Sequence, residues 1–174
     1  MTKSNMFSLV LSTTILCTVF GATLRREQRV VVNDDYQFDW SISEDILMIT
    51  VTAGTAGYVG FGVSPEGNMN NADQCVFGVQ NGSPYLNDYH SQKAGFPTID
   101  TDVGGTSDWI LIEASETDGT TTATFTRKLI TGDVNFDQPI LSGITKVIWA
   151  FGFSDSFEYH GTAAGSVDVV FIEE

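Results

Sequence analysis

The chain has 174 residues, of which 22 are Asp or Glu and only 8 are Lys or Arg, so its formal net charge is −14. Such a composition excludes a nucleic-acid or anionic-membrane binder, because neutralising phosphates requires clustered Lys and Arg. The length is sufficient for one domain with its own hydrophobic core, and too short for two ordinary domains.

The first 21 residues have the features of a secretory signal peptide. Lys3 supplies a positive start, the apolar core MFSLVLSTTILCTVF follows, and small residues precede a cleavage point between Gly21 and Ala22. The alternative, a retained anchor, is disfavoured because the apolar run is short and interrupted by Ser and Thr. We therefore expect a secreted, extracellular protein in which residues 22–33 form an N-terminal tail.

From residue 34 to residue 174 the pattern is typical of an all-β domain. Short runs rich in Val, Ile, Thr and aromatic residues are separated by Gly, Asn, Asp and Pro. The dipeptides Asn81-Gly82 and Asp118-Gly119 accept the positive φ of tight hairpin turns, which predicts antiparallel neighbours. The expected fold is an immunoglobulin-like antiparallel β-sandwich. Its predicted strands lie near residues 36–42, 46–53, 58–64, 74–80, 84–91, 109–116, 121–129, 146–154 and 166–172.

One predicted strand, at 121–129, also shows which of its faces is packed. Thr occupies positions 122, 124 and 126, whereas Ala123, Phe125 and Arg127 occupy the positions between them. Because successive side chains of a strand point to opposite faces, the Thr face should be wet and the other face packed.

Cysteine usage excludes an internal disulfide in the secreted form. Cys17 lies in the predicted signal peptide, which leaves Cys75 alone. Cys75 alternates with apolar neighbours in QCVFGV, so we interpret it as a buried small hydrophobe rather than a reactive thiol. The sequence Asn81-Gly82-Ser83 is an N-glycosylation sequon on a predicted surface turn, which makes a glycoprotein possible.

Hydrolytic catalysis and most metal sites find little support. No G-x-S-x-G motif is present, and Cys75 has no neighbouring base in the sequence. The secreted form has too few Cys and His residues for a structural zinc site, which needs four such ligands. Calcium could use the acidic stretches at 33–35 or 100–102, but these lack the ligand order of a dedicated loop. We therefore interpret both stretches as solvated acidic loops.

Methionine and histidine are scarce enough for each candidate to be weighed. Met69 lies on the turn SPEGNMNNAD, and His160 is followed by Gly161, so the backbone could approach a flat cofactor closely. A thioether and an imidazole together form the axial ligand pair of an electron-transfer haem. Because the chain has no C-x-x-C-H motif, such a haem would be b-type and non-covalent.

Each of these residues also has a structural interpretation. Met69 could fill a gap in the packing, and His160 could be a strand-end imidazole bonded to backbone. His90, in NDYHSQ, is predicted at an exposed strand end and is the rival ligand. The three Trp residues, at 40, 109 and 149, are expected in the core, although Trp149 could also wall an apolar pocket.

Residues 36–170 resemble the DOMON domain family. The resemblance is carried, in this order, by YVGFGVSPEGNMNNADQCVFGV, NDYHSQKAGFPTID, ATFTRKL, GITKVIWAFG and YHGTAAGS. Such domains form the cytochrome part of cellobiose dehydrogenase and occur beside cytochrome b561 or dopamine β-monooxygenase modules. In haem-binding members, the methionine of the GxM..AD turn and the histidine of the late HG are the axial ligands. The resemblance thus implies that Met69 and His160 are the metal ligands of a haem b.

Two functions of different classes follow. The first is a secreted electron-transfer domain that binds haem b and is not itself an enzyme. Its redox partner would be a flavoprotein, a cytochrome b561 or a small reductant such as ascorbate, and its pocket walls would include Tyr58, Phe61, Trp149 and Tyr159. The second is a haem-free extracellular module that binds a sugar or another small ligand in the same pocket.

Overall fold

The computed structural model describes residues 28–174, whose regular elements are eleven strands and one short 3-10 turn at Asp100–Asp102. None of these residues belongs to a helix long and apolar enough to cross a bilayer. The predicted signal peptide lies outside the described residues and stays a prediction. The strands are β1 Gln28–Asn33, β2 Tyr36–Ser43, β3 Ile46–Ala53, β4 Val59–Ser64, β5 Ala72–Gln80, β6 Ser83–Ser91, β7 Thr98–Ile99, β8 Ile110–Thr117, β9 Thr120–Lys128, β10 Ile144–Phe151 and β11 Ala164–Val170.

These strands form two antiparallel sheets. Sheet A has the order β1-β2-β3-β9-β8, and sheet B has the order β11-β10-β4-β5-β6-β7. Every neighbouring pair is antiparallel. One continuous hydrophobic core is built from side chains of both sheets, which confirms the predicted β-sandwich.

All nine predicted strands are present, with ends shifted by a few residues, and two further strands are found. β1 occupies residues that the sequence analysis gave to an N-terminal tail, so residues 28–33 are part of the sandwich. Its Val30 and Val32 pack against the core because they alternate with outward-facing residues. β7 has only two residues, too few to show a period.

The local signals for turns and faces are confirmed. Asn81 and Gly82 have φ of 52° and 76°, and Asp118 and Gly119 have φ of 51° and 74°, so both dipeptides form tight hairpins. In β9 the predicted Thr face is the more exposed one, and its other face is buried. Cys75 is buried within the core, as predicted.

A buried ion pair links the inner faces of the two sheets. Arg127 of β9 donates from Nη2 to Asp73 Oδ2 of β5, and both side chains are fully buried. Asp73 also accepts Trp109 Nε1–H at 2.7 Å and the backbone N–H of Gln138 at 3.0 Å. Burial raises the pKa of Asp73, and the Arg127 charge opposes this rise. Removing either member would therefore leave the other as a buried charge without a counter-charge.

Replacing Arg127 with Met should lower the free energy of unfolding by about 3–5 kcal/mol, because the Asp73 carboxylate would stay buried without its cation. Urea denaturation of the full chain measures this change. The matched control is Lys128→Met, one position along and exposed, which should change stability by no more than about 0.5 kcal/mol. Equal losses in the two variants would contradict the role assigned to the pair.

Candidate functional site

A cavity of about 520 Å³ lies against the outer face of sheet B. Phe61 and Val147 point into the sandwich core, so their strand neighbours Gly60 and Ile148 point to the opposite face. Together with Ala150 and other mostly small or apolar residues, these neighbours form the floor of the cavity. Gly60 is paired with Ala150 across β4 and β10, which leaves room above the sheet for a ligand.

Three loops complete the cavity above this floor. They are the connection between β4 and β5 (65–71), part of the connection between β6 and β7 (94–97) and the connection between β10 and β11 (152–163). Met69 lies on the first loop and His160 on the third, and both line the cavity. The structure therefore brings together the two residues that the sequence analysis singled out.

The Met69 loop is organised by a single buried hydroxyl. Ser64 Oγ, at the end of β4, accepts the backbone N–H groups of Glu66, Gly67 and Asn68 at 3.0 to 3.3 Å. It donates to the Asn68 carbonyl oxygen at 2.6 Å. Four hydrogen bonds from one side chain hold the loop in one conformation, and Met69 follows directly after it.

The His160 loop is held to sheet B by an aromatic anchor. The Phe157 ring packs edge-on against Tyr58, with 5.2 Å between centroids, and at a tilt of 45° against Tyr89, at 5.4 Å. The Tyr58 hydroxyl donates to the Glu158 carbonyl oxygen. Burial, and next the Glu158 carboxylate, raise the pKa of Tyr58, so this hydroxyl stays a donor. His160 therefore follows a segment that is held both by the ring contacts of Phe157 and by the hydrogen bond to the Glu158 carbonyl oxygen.

The tautomer of His160 is set by its neighbour. Its Nδ1 lies 3.2 Å from the Gly161 carbonyl oxygen, which can only accept a hydrogen bond, so Nδ1 carries the proton. The lone pair then lies on Nε2, the nitrogen that is free to bind a metal. Gly161 itself has φ of 62°, a conformation that glycine adopts without strain.

The other predicted wall residues also line the cavity, in different ways. Tyr58 and Phe61 are buried, and Phe61, whose side chain points into the core, can border the cavity only through its backbone. Trp149 is half-buried, and Tyr159 is 78% exposed and packs against the His160 ring. Trp149 Nε1 is buried without a hydrogen-bond partner. The sequence analysis missed Phe157 and Phe96, because isolated aromatic residues in loops show no period.

The prediction that His90 lies at an exposed strand end was wrong. This residue is 5% exposed, its Nδ1 donates to the Phe136 carbonyl oxygen at 2.7 Å, and its ring packs against that of Phe136. The cause is β7, whose Thr98 pairs with His90 and covers the strand end that looked exposed in the sequence. His90 is not among the residues that line the cavity.

Fold and cavity define a two-sheet antiparallel sandwich with a ligand-sized cavity on one outer face. The DOMON domain matches residues 32–152, and the chain belongs to this family. Among solved structures it is similar to the cytochrome domain of Myriococcum thermophilum cellobiose dehydrogenase, with a TM-score of 0.59 and 11% identity over 83% of this chain and 81% of that one. It is also similar to the cytochrome b domain of Coprinopsis cinerea pyranose dehydrogenase, with a TM-score of 0.57 and 17% identity over 78% and 76%. At these identities the likeness concerns the fold.

The proteins that are similar in sequence are DBH-like monooxygenase proteins rather than dehydrogenases. DBH-like monooxygenase protein 1 of Gallus gallus is 36% identical over 153 residues, which are 84% of this chain and 24% of the relative. The Homo sapiens protein of the same name is 37% identical over 135 residues, which are 75% and 21%. The chain thus spans about a quarter or less of the length of these relatives.

Replacing Ser64 with Ala should loosen the Met69 loop while leaving the sandwich folded, because the loop amides lose their shared acceptor. Losing a buried hydrogen-bond acceptor costs about 1–3 kcal/mol, so amides 66–68 should exchange with solvent about 10- to 100-fold faster. Hydrogen exchange read by mass spectrometry measures this rate. The control is Ser83→Ala at an exposed strand end. Unchanged exchange at 66–68 would show that Ser64 does not hold the loop.

Proposed function

We propose that this domain binds haem b non-covalently in the cavity on sheet B, with Met69 and His160 as axial ligands, and serves as an extracellular electron-transfer module. The observation that carries the proposal is that one thioether and one imidazole, from loops far apart in the chain, line the same cavity. Met/His ligation is one of the established ways in which proteins hold haem iron.

The residues present fit such a group. A cavity of about 520 Å³ is within the range for small-molecule and cofactor sites. Its walls are mostly glycine, aliphatic and aromatic residues, with Glu158 as the one carboxylate among the lining residues described. An apolar wall excludes water and suits a flat aromatic cofactor, whereas a charged wall would favour a polar ligand.

Each proposed ligand is prepared by its own surroundings. Ser64 orders the backbone that leads to Met69, and the Gly161 carbonyl leaves the lone pair of His160 on Nε2. Phe157 and Tyr58 anchor the His160 loop to the sheet. When bound, haem would supply one-electron transfer at its iron. With two protein ligands no position would stay open for a substrate, which makes a carrier and not an enzyme.

The proposed partner is a redox protein or a small reductant: a flavoprotein, a cytochrome b561 or ascorbate. The names of the similar proteins support a role beside oxidoreductases, since they are a cellobiose dehydrogenase, a pyranose dehydrogenase and DBH-like monooxygenases. The excess of 22 acidic over 8 basic residues favours a partner with a basic docking face, because complementary charge raises association rates.

The full chain, expressed with haem available and reduced with dithionite, should show the sharp absorption bands of a six-coordinate low-spin haem b. Met69→Leu should keep the fold but lose the low-spin spectrum, because the thioether ligand is gone. The matched control is Met48→Leu, a methionine on β3 of sheet A and not among the cavity residues. An unchanged spectrum in Met69→Leu would exclude Met69 as a ligand.

His160→Ala should weaken haem binding more severely, by at least about 100-fold, because losses of this size already follow from removing groups that only support a metal ligand. Titration with hemin measures the affinity, and His90→Ala serves as the histidine control. If His90→Ala alone lowers the affinity, the ligand assignment is wrong. A protein that stays colourless after hemin is added would leave the haem-free sugar-binding or ligand-binding module as the function.

A further inference from the structure

A second group of side chains lies apart from the cavity residues and consists of carboxylates alone. Asp100, Asp133 and Asp137 each place an oxygen within 4.8 Å of the oxygens of the other two. The sequence analysis considered the stretch 100–102 as a calcium site and interpreted it as a solvated loop. Asp100 is in fact buried, with 1% of its surface exposed, so the solvated interpretation was wrong for this residue.

Two segments of the chain build this cluster. Asp100 begins the 3-10 turn after β7, and its carbonyl oxygen accepts the N–H of Gly105 at 2.8 Å. Asp133 and Asp137 lie on one turn between β9 and β10, closed by the hydrogen bond from Asp137 N to Asp133 O at 2.9 Å. Asp133 Oδ2 accepts the backbone N–H of Thr106 at 2.9 Å, which ties the two segments together.

The two segments are also in close contact at Gly105. A Cβ added at Gly105 would lie 2.9 Å from Asp133 Oδ2 and 3.1 Å from the Asp100 carbonyl oxygen. Only glycine fits there without displacing the cluster. This close contact brings the turn of Asp100 against the side chain of Asp133.

Two of the three carboxylates, those of Asp100 and Asp137, lack a good partner within the described part of the chain, whereas Asp133 accepts from Thr106. Both oxygens of Asp100 and both oxygens of Asp137 are buried without a well-formed hydrogen bond, although the Thr131 side chain lies close enough to Asp137 to lower its pKa. Asp137 is only 6% exposed. The nearest cationic group to Asp137 is Arg127 Nη2, at 3.7 Å from Oδ2, and this group already pairs with Asp73. Unpaired buried carboxylates are strongly unfavourable unless a proton or a cation neutralises them.

Burial raises the pKa of both buried members of the cluster. The pKa of Asp100 rises to about 7, through burial first and the neighbouring Asp137 charge second. The pKa of Asp137 also rises to about 7, through burial first and the Asp73 charge second, although Thr131 and Arg127 oppose the rise.

We propose that Asp100, Asp133 and Asp137 bind a divalent cation, Ca²⁺, at a site separate from the proposed haem cavity. Ca²⁺ binds carboxylate oxygens at 2.3–2.6 Å, so oxygens on opposite sides of the ion lie up to about 5 Å apart, which the 4.8 Å spread matches. Mg²⁺ requires shorter distances and keeps several waters, for which a buried cluster has less room. Oxygen ligands without Cys or His in the cluster disfavour zinc and copper.

The bound ion would join segments that are distant in the sequence. It would connect the turn after β7 to the turn between β9 and β10, and Gln138 continues from that turn to the Met69 segment. Gln138 donates its backbone N–H to Asp73 Oδ2 and its side-chain N–H to the Asn71 carbonyl oxygen at 3.0 Å. Calcium should therefore stabilise the sandwich whether or not haem binds.

The test is the melting temperature of the full chain, stripped of metal with a chelator and titrated with Ca²⁺, together with calorimetric titration. At a free Ca²⁺ concentration about 100 times the Kd, the melting temperature should rise by about 5–10 °C. No rise and no binding heat at millimolar Ca²⁺ would overturn the proposal. Mg²⁺ binding more tightly than Ca²⁺ would overturn the choice of ion.

Variants distinguish a cation site from a merely structural acidic cluster. Asp137→Asn should lower Ca²⁺ affinity at least tenfold, yet without Ca²⁺ it should be no less stable than the wild type, because it removes a buried charge. Asp133→Asn, at a half-buried position, tests the same site if Asp137→Asn fails to fold. The matched control is Asp118→Asn, on an exposed turn with φ of 51° that Asn tolerates equally. Wild-type affinity in both Asp137→Asn and Asp133→Asn would overturn the ligand assignment.

Discussion

The ion pair between Arg127 and Asp73 is the constraint on which the arrangement of both sites depends. It lies between the two sheets, where taking two charges out of water is costly and is offset only when every remaining donor and acceptor is used well. Asp73 meets this requirement by accepting hydrogen bonds from Trp109 Nε1 and from the backbone of Gln138. Arg127 meets it only through Nη2, which also donates to the Gln138 carbonyl oxygen, whereas its Nε and Nη1 are buried without a partner. A hydrophobic pair could stabilise the core equally well, but it would not fix the start of β5 and the turn before β10 relative to each other.

One segment of each proposed site adjoins a member of this pair in the chain. The Met69 loop ends directly before β5, the strand that contains Asp73. The turn that carries Asp133 and Asp137 follows β9, the strand that contains Arg127. Any change that moves the ion pair should therefore disturb the proposed haem ligand and the proposed calcium site together. Changes in the calcium site should affect the Met69 loop through the hydrogen bonds of Gln138. Removing these hydrogen bonds should therefore reduce that effect.

Local signals account for most of what the sequence predicted correctly. Alternation in strands such as β9, and dipeptides such as Asn81-Gly82, act over a few residues and can be read directly. The errors concern burial that depends on segments later in the chain. His90 is covered by β7 and packs against Phe136, and Asp100 is enclosed by a turn that lies some thirty residues later. Met69 and His160, which line the same cavity, were singled out because methionine and histidine are rare in this chain. Asp133 and Asp137 drew no attention because acidic residues are common in it.

The cavity lies on the outer face of sheet B, which separates the ligand site from the core that stabilises the fold. The core side chains of both sheets can be kept while outer-face residues such as Gly60 and Ala150 and the three loops vary. Members of one family can in this way hold different ligands on the same sandwich. The two proposed haem ligands are on separate loops, each ordered beforehand, one by Ser64 and the other by Phe157. Ordering a loop during binding costs free energy and lowers affinity, and a loop that is ordered beforehand avoids this cost. Ser64 and Phe157 should therefore affect the affinity of the cavity for haem as much as the sulfur of Met69 and the imidazole of His160 do.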